Sequence, residues 1–281
     1  VVCKPSELTP LTAHLLGEVC TEVGLPPGVV NIVHGLGEEV GQAITEHNDV
    51  RAISFTGGTS TGQKVATATA SRFAKTSLEL GGKNATIVFA NACTEEHIER
   101  TLDGIMHAGF ANQGQVCLCG SRLLIEASAW EIVINGLVQR LRTINIGNPT
   151  DEKTMFGSLI SLAHREKVES YISQAIEDGG TVLAGGGRPV MQDNFSEGAW
   201  LTPTLITNLP KNHACNVEEI FGPVVVAEAF TDEQEAIKRA NSTEYGLAAS
   251  VWTRDLSQSR RVAEKLETGM VWVNTWLHRD L

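Results

Sequence analysis

Short apolar runs alternate with helical patterns along almost the whole chain, and a chain patterned in this way has few means of burying its runs. The segment "LTPLTAHLLGEVCTEVG" (8–24) carries Leu11, Leu15, Val19 and Val23 along one helical face. Thr9 stands where a cap would sit, Pro10 lies in the first turn and Gly24 can end the helix. "GVVNIVHG" (28–35) reads as a strand, followed by a Gly-rich loop and a helix around 40–45. "VRAISFT" (50–56), "GGTSTG" (57–62) and "GQKVATATASRF" (62–73) repeat the order of strand, tight loop and helix. Crossover helices of this length join parallel strands, so the expected sheet is parallel and covered on both faces.

At "KTSLELGGKNATIVFA" (75–90) two strand-like runs flank a Gly-Gly turn and a second series begins. Its strands are "SRLLIE" (121–126), "TVLAG" (181–185), "WLTPTLI" (200–206), "PVVVAEAF" (223–230), "AASVWT" (248–253) and "GMVWVN" (269–274). Helices are expected around 95–109, 128–142, 161–178, 231–241 and 255–267. The expected architecture is α/β and two-lobed, with a boundary between residues 78 and 79.

With 42% hydrophobic and 20% charged residues, 281 residues can bury ample core and do not form a disordered chain. The net charge of −11 argues against nucleic-acid or anionic-membrane partners, which need concentrated Lys and Arg. No apolar run approaches the ~20 residues that span a bilayer. The six cysteines are mostly isolated, and a chain of this length needs no disulfides, so a reducing, cytoplasmic setting is expected. The start at "VVCKPSE", without methionine and in an apparent strand, suggests a piece of a longer protein.

Chemistry concentrates at "FANQGQVCLCGSR" (110–122). Cys117 and Cys119 are spaced CxC, with no second pair to complete a zinc site and without the CxxC of a redox centre, so no metal is expected. Gly114 and Gly120 free the backbone, and Asn112, Gln113 and Gln115 add polar groups. That setting suits a thiol whose neighbouring N–H groups face a substrate carbonyl. "SLELGGK" supplies a candidate base: Glu79 sits among apolar residues beside Gly81 and Gly82, where partial desolvation would suit general-base work. "SFTGGTSTG" (54–62) ends a strand in a glycine turn that opens a helix, an arrangement able to present N–H groups to phosphate. It is neither GxGxxG nor a P-loop, and alone it reads first as a plain turn.

Taken in order, "KPSE" (4–7), "SFTGGTSTG", "LELGGKN" (78–84), "FANQGQVC" (110–117), "EEIFGP" (218–223) and "GMVWVN" resemble the NAD(P)-dependent aldehyde dehydrogenase superfamily over essentially the whole chain. The resemblance implies a partial Rossmann-like dinucleotide-binding domain at 1–78 and an α/β catalytic domain at 79–281, incomplete at its C-terminal end. It makes Cys117 the nucleophile and Glu79 the base that activates the thiol or the deacylating water, and it leaves Cys119 a bystander. An oxyanion would be held by the Cys117 backbone N–H and a side-chain amide. Cofactor contacts are implied at Lys4, Ser6, Glu7, Gly37, Phe55, Gly57, Gly58, Leu80, Gly81, Glu219 and Phe221. A carboxylate at Glu7 accepts both ribose hydroxyls and repels a 2′-phosphate, which favours NAD over NADP.

The ending "VWVNTWLHRDL" and the "CLCGSR" context look like the branch acting on 2-aminomuconic and 2-hydroxymuconic semialdehydes. Those substrates carry carboxylates that an arginine can clamp bidentately, so Arg279 and Asn274 are the candidate substrate contacts. A small aldehyde substrate and a homo-oligomeric full-length protein are implied. Gly58 stands where many members have serine, and the family's segment carrying the oxyanion-hole Asn lies outside these 281 residues. Betaine or aliphatic aldehydes are alternative substrates, and a non-catalytic α/β fragment with a structural or binding role is an alternative of another class. A Cys-His hydrolase needs an oriented histidine, which nothing among the eight marks.

Overall fold

Two parallel pairs of short strands build the first of two units, Val1–Leu80; the second is Gly81–Leu281. The computed structural model describes residues 1–191 and 195–278. In the first unit β1 (Val2–Cys3), α1 (Pro10–Glu22) and β2 (Asn31–Ile32) make one parallel crossover. After a single π-turn at Gly37–Gly41 and the short α2 (Gln42–Glu46), β3 (Ala52–Thr56), α3 (Thr59–Ala70) and β4 (Lys75–Glu79) make a second. The parallel pairing agrees with the sequence pattern, but the two pairs belong to separate sheets.

Three local expectations change in this unit. "GVVNIVHG" yields only Asn31 and Ile32 as strand, because Gly28, at φ 85°, and the Val29 N–H donated to the Pro26 carbonyl commit its first residues to a turn. Thr9 makes no side-chain cap; α1 opens on Pro10, which has no N–H to satisfy. The stripe of Leu11, Leu15, Val19 and Val23 forms but stays exposed, since α1 lays its Gly17 side against Ile32 of β2.

The second unit is one seven-stranded sheet. In chain order its elements are β5 (Ala85–Val88), α4 (Ile98–Phe110), β6 (Arg122–Glu126), α5 (Trp130–Arg142), α6 (Leu162–Glu177) and β7 (Thr181–Ala184). They continue with β8 (Thr204–Thr207), α7 (Ala214–Val217), β9 (Val224–Phe230), α8 (Glu233–Ala240), β10 (Ala248–Trp252), α9 (Leu256–Ala263) and β11 (Met270–Val273). The strand order is β11-β10-β5-β6-β9-β8-β7. Every neighbouring pair is parallel except β7 with β8. Among the described residues no α-helix lies between β7 and β8 to carry a parallel crossover, so the chain returns antiparallel. β8 starts at Thr204 and not at Trp200, because Pro203 has no N–H for the ladder.

The central strands are buried on both sides, which explains their unbroken apolar runs. Val88, Leu123, Ile125, Val225 and Ala227 face the layer of α4 and α5. Ile87 and Leu124 face α8 and α9, and Val224 and Val226 face α6. At the amino ends of β5, β6 and β10 the parallel order sets Asn84, the loop entering β6 and Ala248 side by side.

Gly104, inside α4, lies under the buried Trp252 ring, and a methyl group there would overlap the indole. Helix propensity alone favours alanine by about 1 kcal/mol, whereas overpacking a filled core costs about 1–3 kcal/mol. Gly104→Ala is therefore expected to destabilise the protein by about 1–2 kcal/mol, read as a lower urea midpoint at unchanged slope.

Candidate active site

The loop that enters β6 is bent by three successive left-handed residues, Asn112 (φ 48°), Gln113 (φ 56°) and Gly114 (φ 69°). Only glycine fits at 114, since a Cβ would fall on the Gly222 carbonyl. The two non-glycine residues are strained by about 1–3 kcal/mol each, so their surroundings must hold them. The Gln115 N–H donates to the Asn112 carbonyl (3.0 Å), and Cys117 follows, half-buried.

Three consecutive carbonyls of this loop each accept a side-chain N–H. Asn84 Nδ2 donates to the carbonyls of Cys117 (2.8 Å) and Cys119 (3.0 Å). Trp276 Nε1 donates to that of Leu118 (2.9 Å). Asn84 is 4% exposed, and its Oδ1 accepts the Ala248 N–H at the start of β10 (3.0 Å), so the whole amide is engaged. Neither Asn84 nor Trp276 stood out in the sequence; the Asn directly after the Gly-Gly-Lys of the base motif was the available signal.

Cys119 is buried with its Sγ towards the Ala111 carbonyl, and burial pushes its thiol up to about 12. Cys117 packs against a buried apolar cluster that includes Leu118, Trp272 and Trp276, and Leu247 and Leu277 pack against the same cluster. The two cysteines thus occupy different environments.

Glu219 reaches the same region. Its Oε1 accepts the Gly82 N–H (3.0 Å), its Oε2 lies over Gly81, and a Cβ at Gly82 would meet the Cys117 carbonyl. Gly81, Gly82, Asn84, Cys117 and Glu219 are therefore contiguous. Phe221, at φ 60°, projects a half-exposed ring from the next turn. Beside them Lys83 is buried without a hydrogen-bond partner for Nζ, and burial brings its ammonium down to about 7.

Asn274 is placed elsewhere. It follows the carboxyl end of β11, where its Oδ1 accepts the Thr253 N–H (3.0 Å) and its Nδ2 donates to the Thr253 carbonyl (2.8 Å). The Cys117 loop stands at the amino ends of the same strands, so the amide of Asn274 closes a strand end and does not face the thiol. The chain then doubles back, and Trp276 and Leu277 reach the loop instead. Arg279 lies outside the described residues.

In the first unit Lys4 Nζ donates to the carbonyls of Pro5 (2.6 Å) and Gly35 (3.1 Å) and stands 3.5 Å from Glu7 Oε2. A backbone hydrogen bond, then the Lys4 charge, hold the exposed Glu7 carboxyl below its ordinary value. Ser6 Oγ accepts the Leu8 N–H (3.2 Å), and Gly37 opens the π-turn. Gly57 lies under the Phe55 ring and donates its N–H to the Glu79 carbonyl (3.0 Å). Gly58 starts α3 with no side-chain cap and no acidic residue in the first turn, which leaves that end suited to an anionic group. Leu80 covers Gly62 of the same helix.

Glu79 departs from expectation. Its side chain is exposed at the end of β4, not desolvated, because the face of β4 that carries it has no covering layer within the unit. Among the described residues no group of three or more His, Cys, Asp or Glu is arranged to hold a metal, and no helix is long and apolar enough to cross a membrane.

A parallel α/β sheet with a pinned cysteine loop at its amino ends, beside a glutamate on a Gly-Gly turn, defines a class, and the Aldehyde dehydrogenase family matches residues 1–281. The chain belongs to that family. It is 48% identical over its full length to the 2-hydroxymuconic semialdehyde dehydrogenase of Pseudomonas sp. (strain CF600), and 42% identical to the human 2-aminomuconic semialdehyde dehydrogenase. It spans 57% of the length of both relatives. Betaine aldehyde dehydrogenase of Staphylococcus aureus, solved in complex with NAD+, is 41% identical with a TM-score of 0.93, over 100% of this chain and 55% of that one.

Two outcomes follow from the geometry. Asn84→Ala leaves three buried backbone groups without their partner, at about 1–3 kcal/mol each. It is expected to lower the urea midpoint and to speed amide exchange across residues 115–120 by about tenfold or more relative to the rest of the second unit. With its thiol near 12, Cys119 holds almost no thiolate at pH 8. Iodoacetamide at that pH is expected to label Cys117 well before Cys119, as followed by peptide mass spectrometry.

Proposed function

We propose that the protein oxidises an aldehyde to the carboxylic acid with NAD, through a covalent intermediate on Cys117. The observation that carries this reading is the nucleophile loop, whose carbonyls at 117, 118 and 119 are each tied down while Cys117, half-buried, packs against an apolar cluster. Such a loop fixes a sulfur for attack on a carbonyl carbon.

Each unit, taken by itself, offers groups that suit part of a dinucleotide. Lys4 and Glu7 offer a cation and a carboxylate for a ribose, and the uncapped start of α3 suits phosphate. Glu219 is oriented by the Gly82 N–H for a second ribose, and the ring of Phe221 stands exposed for stacking. NAD, when bound, supplies the hydride acceptor. Cys117 captures the aldehyde as a thiohemiacetal whose oxyanion its own backbone N–H can hold. After loss of hydride the acyl group remains on sulfur as a thioester. The base for the water that releases the acid is, by the family resemblance, Glu79, whose exposed side chain stands within reach of solvent.

The substrate we infer is a semialdehyde carrying a carboxylate, supported by the names of the relatives at 42–48% identity. We also infer a homo-oligomer in a reducing, cytoplasmic setting. None of the six cysteines forms a disulfide, and β11 forms the outer edge of its sheet, where a further strand can join.

In the whole protein, Cys117→Ala is expected to lower NADH production by about 10³-fold or more; retained turnover would refute the assignment. Glu79→Gln is expected to give one stoichiometric burst of NADH and then steady turnover slower by about 10²–10⁴, since only release of the acid needs the base. Comparison of kcat/KM for muconic semialdehydes, betaine aldehyde and aliphatic aldehydes tests substrate class, with the first expected to lead by about tenfold or more.

A further inference from the structure

Phe221 is held in an unfavourable state: a non-glycine residue at φ 60° that is 37% exposed. The restraint comes from the start of α6. Ser161 caps that helix by accepting the His164 N–H on its Oγ (3.1 Å), which fixes the first turn. From this turn His164 Nε2 meets the Phe221 carbonyl at 2.7 Å, with the two rings edge-on at 6.2 Å. A carbonyl only accepts, so Nε2 carries the proton, and both the neutral Nε2–H tautomer and the imidazolium make the bond.

The same helix start also grips the nucleophile loop. The Ile160 N–H donates to Gln115 Oε1 (3.0 Å), two residues before Cys117. Gly222 packs against Val168 of α6 on one side, and its carbonyl closes on Gly114 of the loop on the other. Three segments distant in sequence therefore meet at one capped turn: the loop before Cys117, the start of α6 and the turn carrying Glu219 and Phe221.

We propose that His164 is a positioning residue for the coenzyme: it holds the Phe221 carbonyl so that the aromatic ring and Glu219 are presented in register with the Cys117 loop, which Gln115 ties to the same helix start. This rests on the reading of Glu219 and Phe221 as cofactor contacts. The effect belongs to coenzyme binding, because His164 touches the backbone of the coenzyme turn and Gln115, not His164, holds the cysteine loop.

The test uses the whole protein with His164→Ala, His164→Gln and His164→Phe. Loss of the bond is expected to raise both the NAD dissociation constant, measured by calorimetry, and KM for NAD by about five- to tenfold. kcat and KM for the aldehyde should stay within about threefold. Glutamine, whose amide nitrogen reaches as far as Nε2, is expected to restore most of the NAD affinity. Phenylalanine, which keeps a ring but no donor, should bind NAD as weakly as alanine, and it substitutes for alanine if that variant fails to fold. Wild-type NAD affinity in the alanine or phenylalanine variant, or glutamine no better than alanine, overturns the proposal. So does a uniform fall in every constant together with the melting temperature, which is what a merely structural role predicts. A wild-type protein that neither binds nor reduces NAD would instead overturn the functional reading, and this inference with it.

Discussion

The amide of Asn84 is the interaction on which the candidate site depends. It stands just before β5, donates to two carbonyls of the cysteine loop and accepts the first N–H of β10. A hydrophobic residue of similar size would fill the space but leave those three backbone groups buried and unpaired, each a desolvation cost of about 1–3 kcal/mol. The strained residues Asn112 and Gln113 are held locally by the exchange between Asn112 and Gln115, and Asn84 anchors the loop that follows them to the sheet. The anchor in turn needs the sheet, since only the parallel order β10-β5-β6 sets the amino ends of those strands next to one another.

This placement reverses the habit of open α/β sheets, which bind ligands outside the carboxyl ends of their strands. Here the carboxyl end of β11 is closed by Asn274 on Thr253, and the long entry into β6 brings the thiol to the opposite edge. The buried Lys83 lies on that edge too, its charge opposed by burial and favoured by Glu218 and Glu219. Glu219 is thus oriented by a backbone N–H at contact distance.

Much of this was legible in the residues. The unbroken apolar runs marked β5, β6, β9 and β10 because strands covered on both faces have no polar side to show. The glycines and the amide-rich flank marked the stretch around Cys117 and Cys119 as suited to a reactive thiol, and the family resemblance chose Cys117 between the two. The partners that make the loop work were not legible, because they are remote: Asn84 lies 33 residues from Cys117 and 164 from Ala248, and Trp276 lies 158 from Leu118. Periodicity reports local faces and is silent on such pairings. The same limit explains Glu79, whose apolar neighbours in sequence point to the other face of β4, and Asn274, whose motif position carried no sign that its amide would be consumed by Thr253. The antiparallel β7 escaped notice because strand direction depends on what joins two strands rather than on their composition.

The burial of Cys119 bears on how the protein withstands oxidants. A sulfenic acid on a reactive cysteine is rescued when a nearby thiolate condenses with it, and is otherwise open to irreversible further oxidation. Cys119 is two residues away, yet its thiol, near 12, stays protonated and its Sγ is turned to the Ala111 carbonyl. Proximity in sequence therefore gives Cys117 no resolving partner in Cys119.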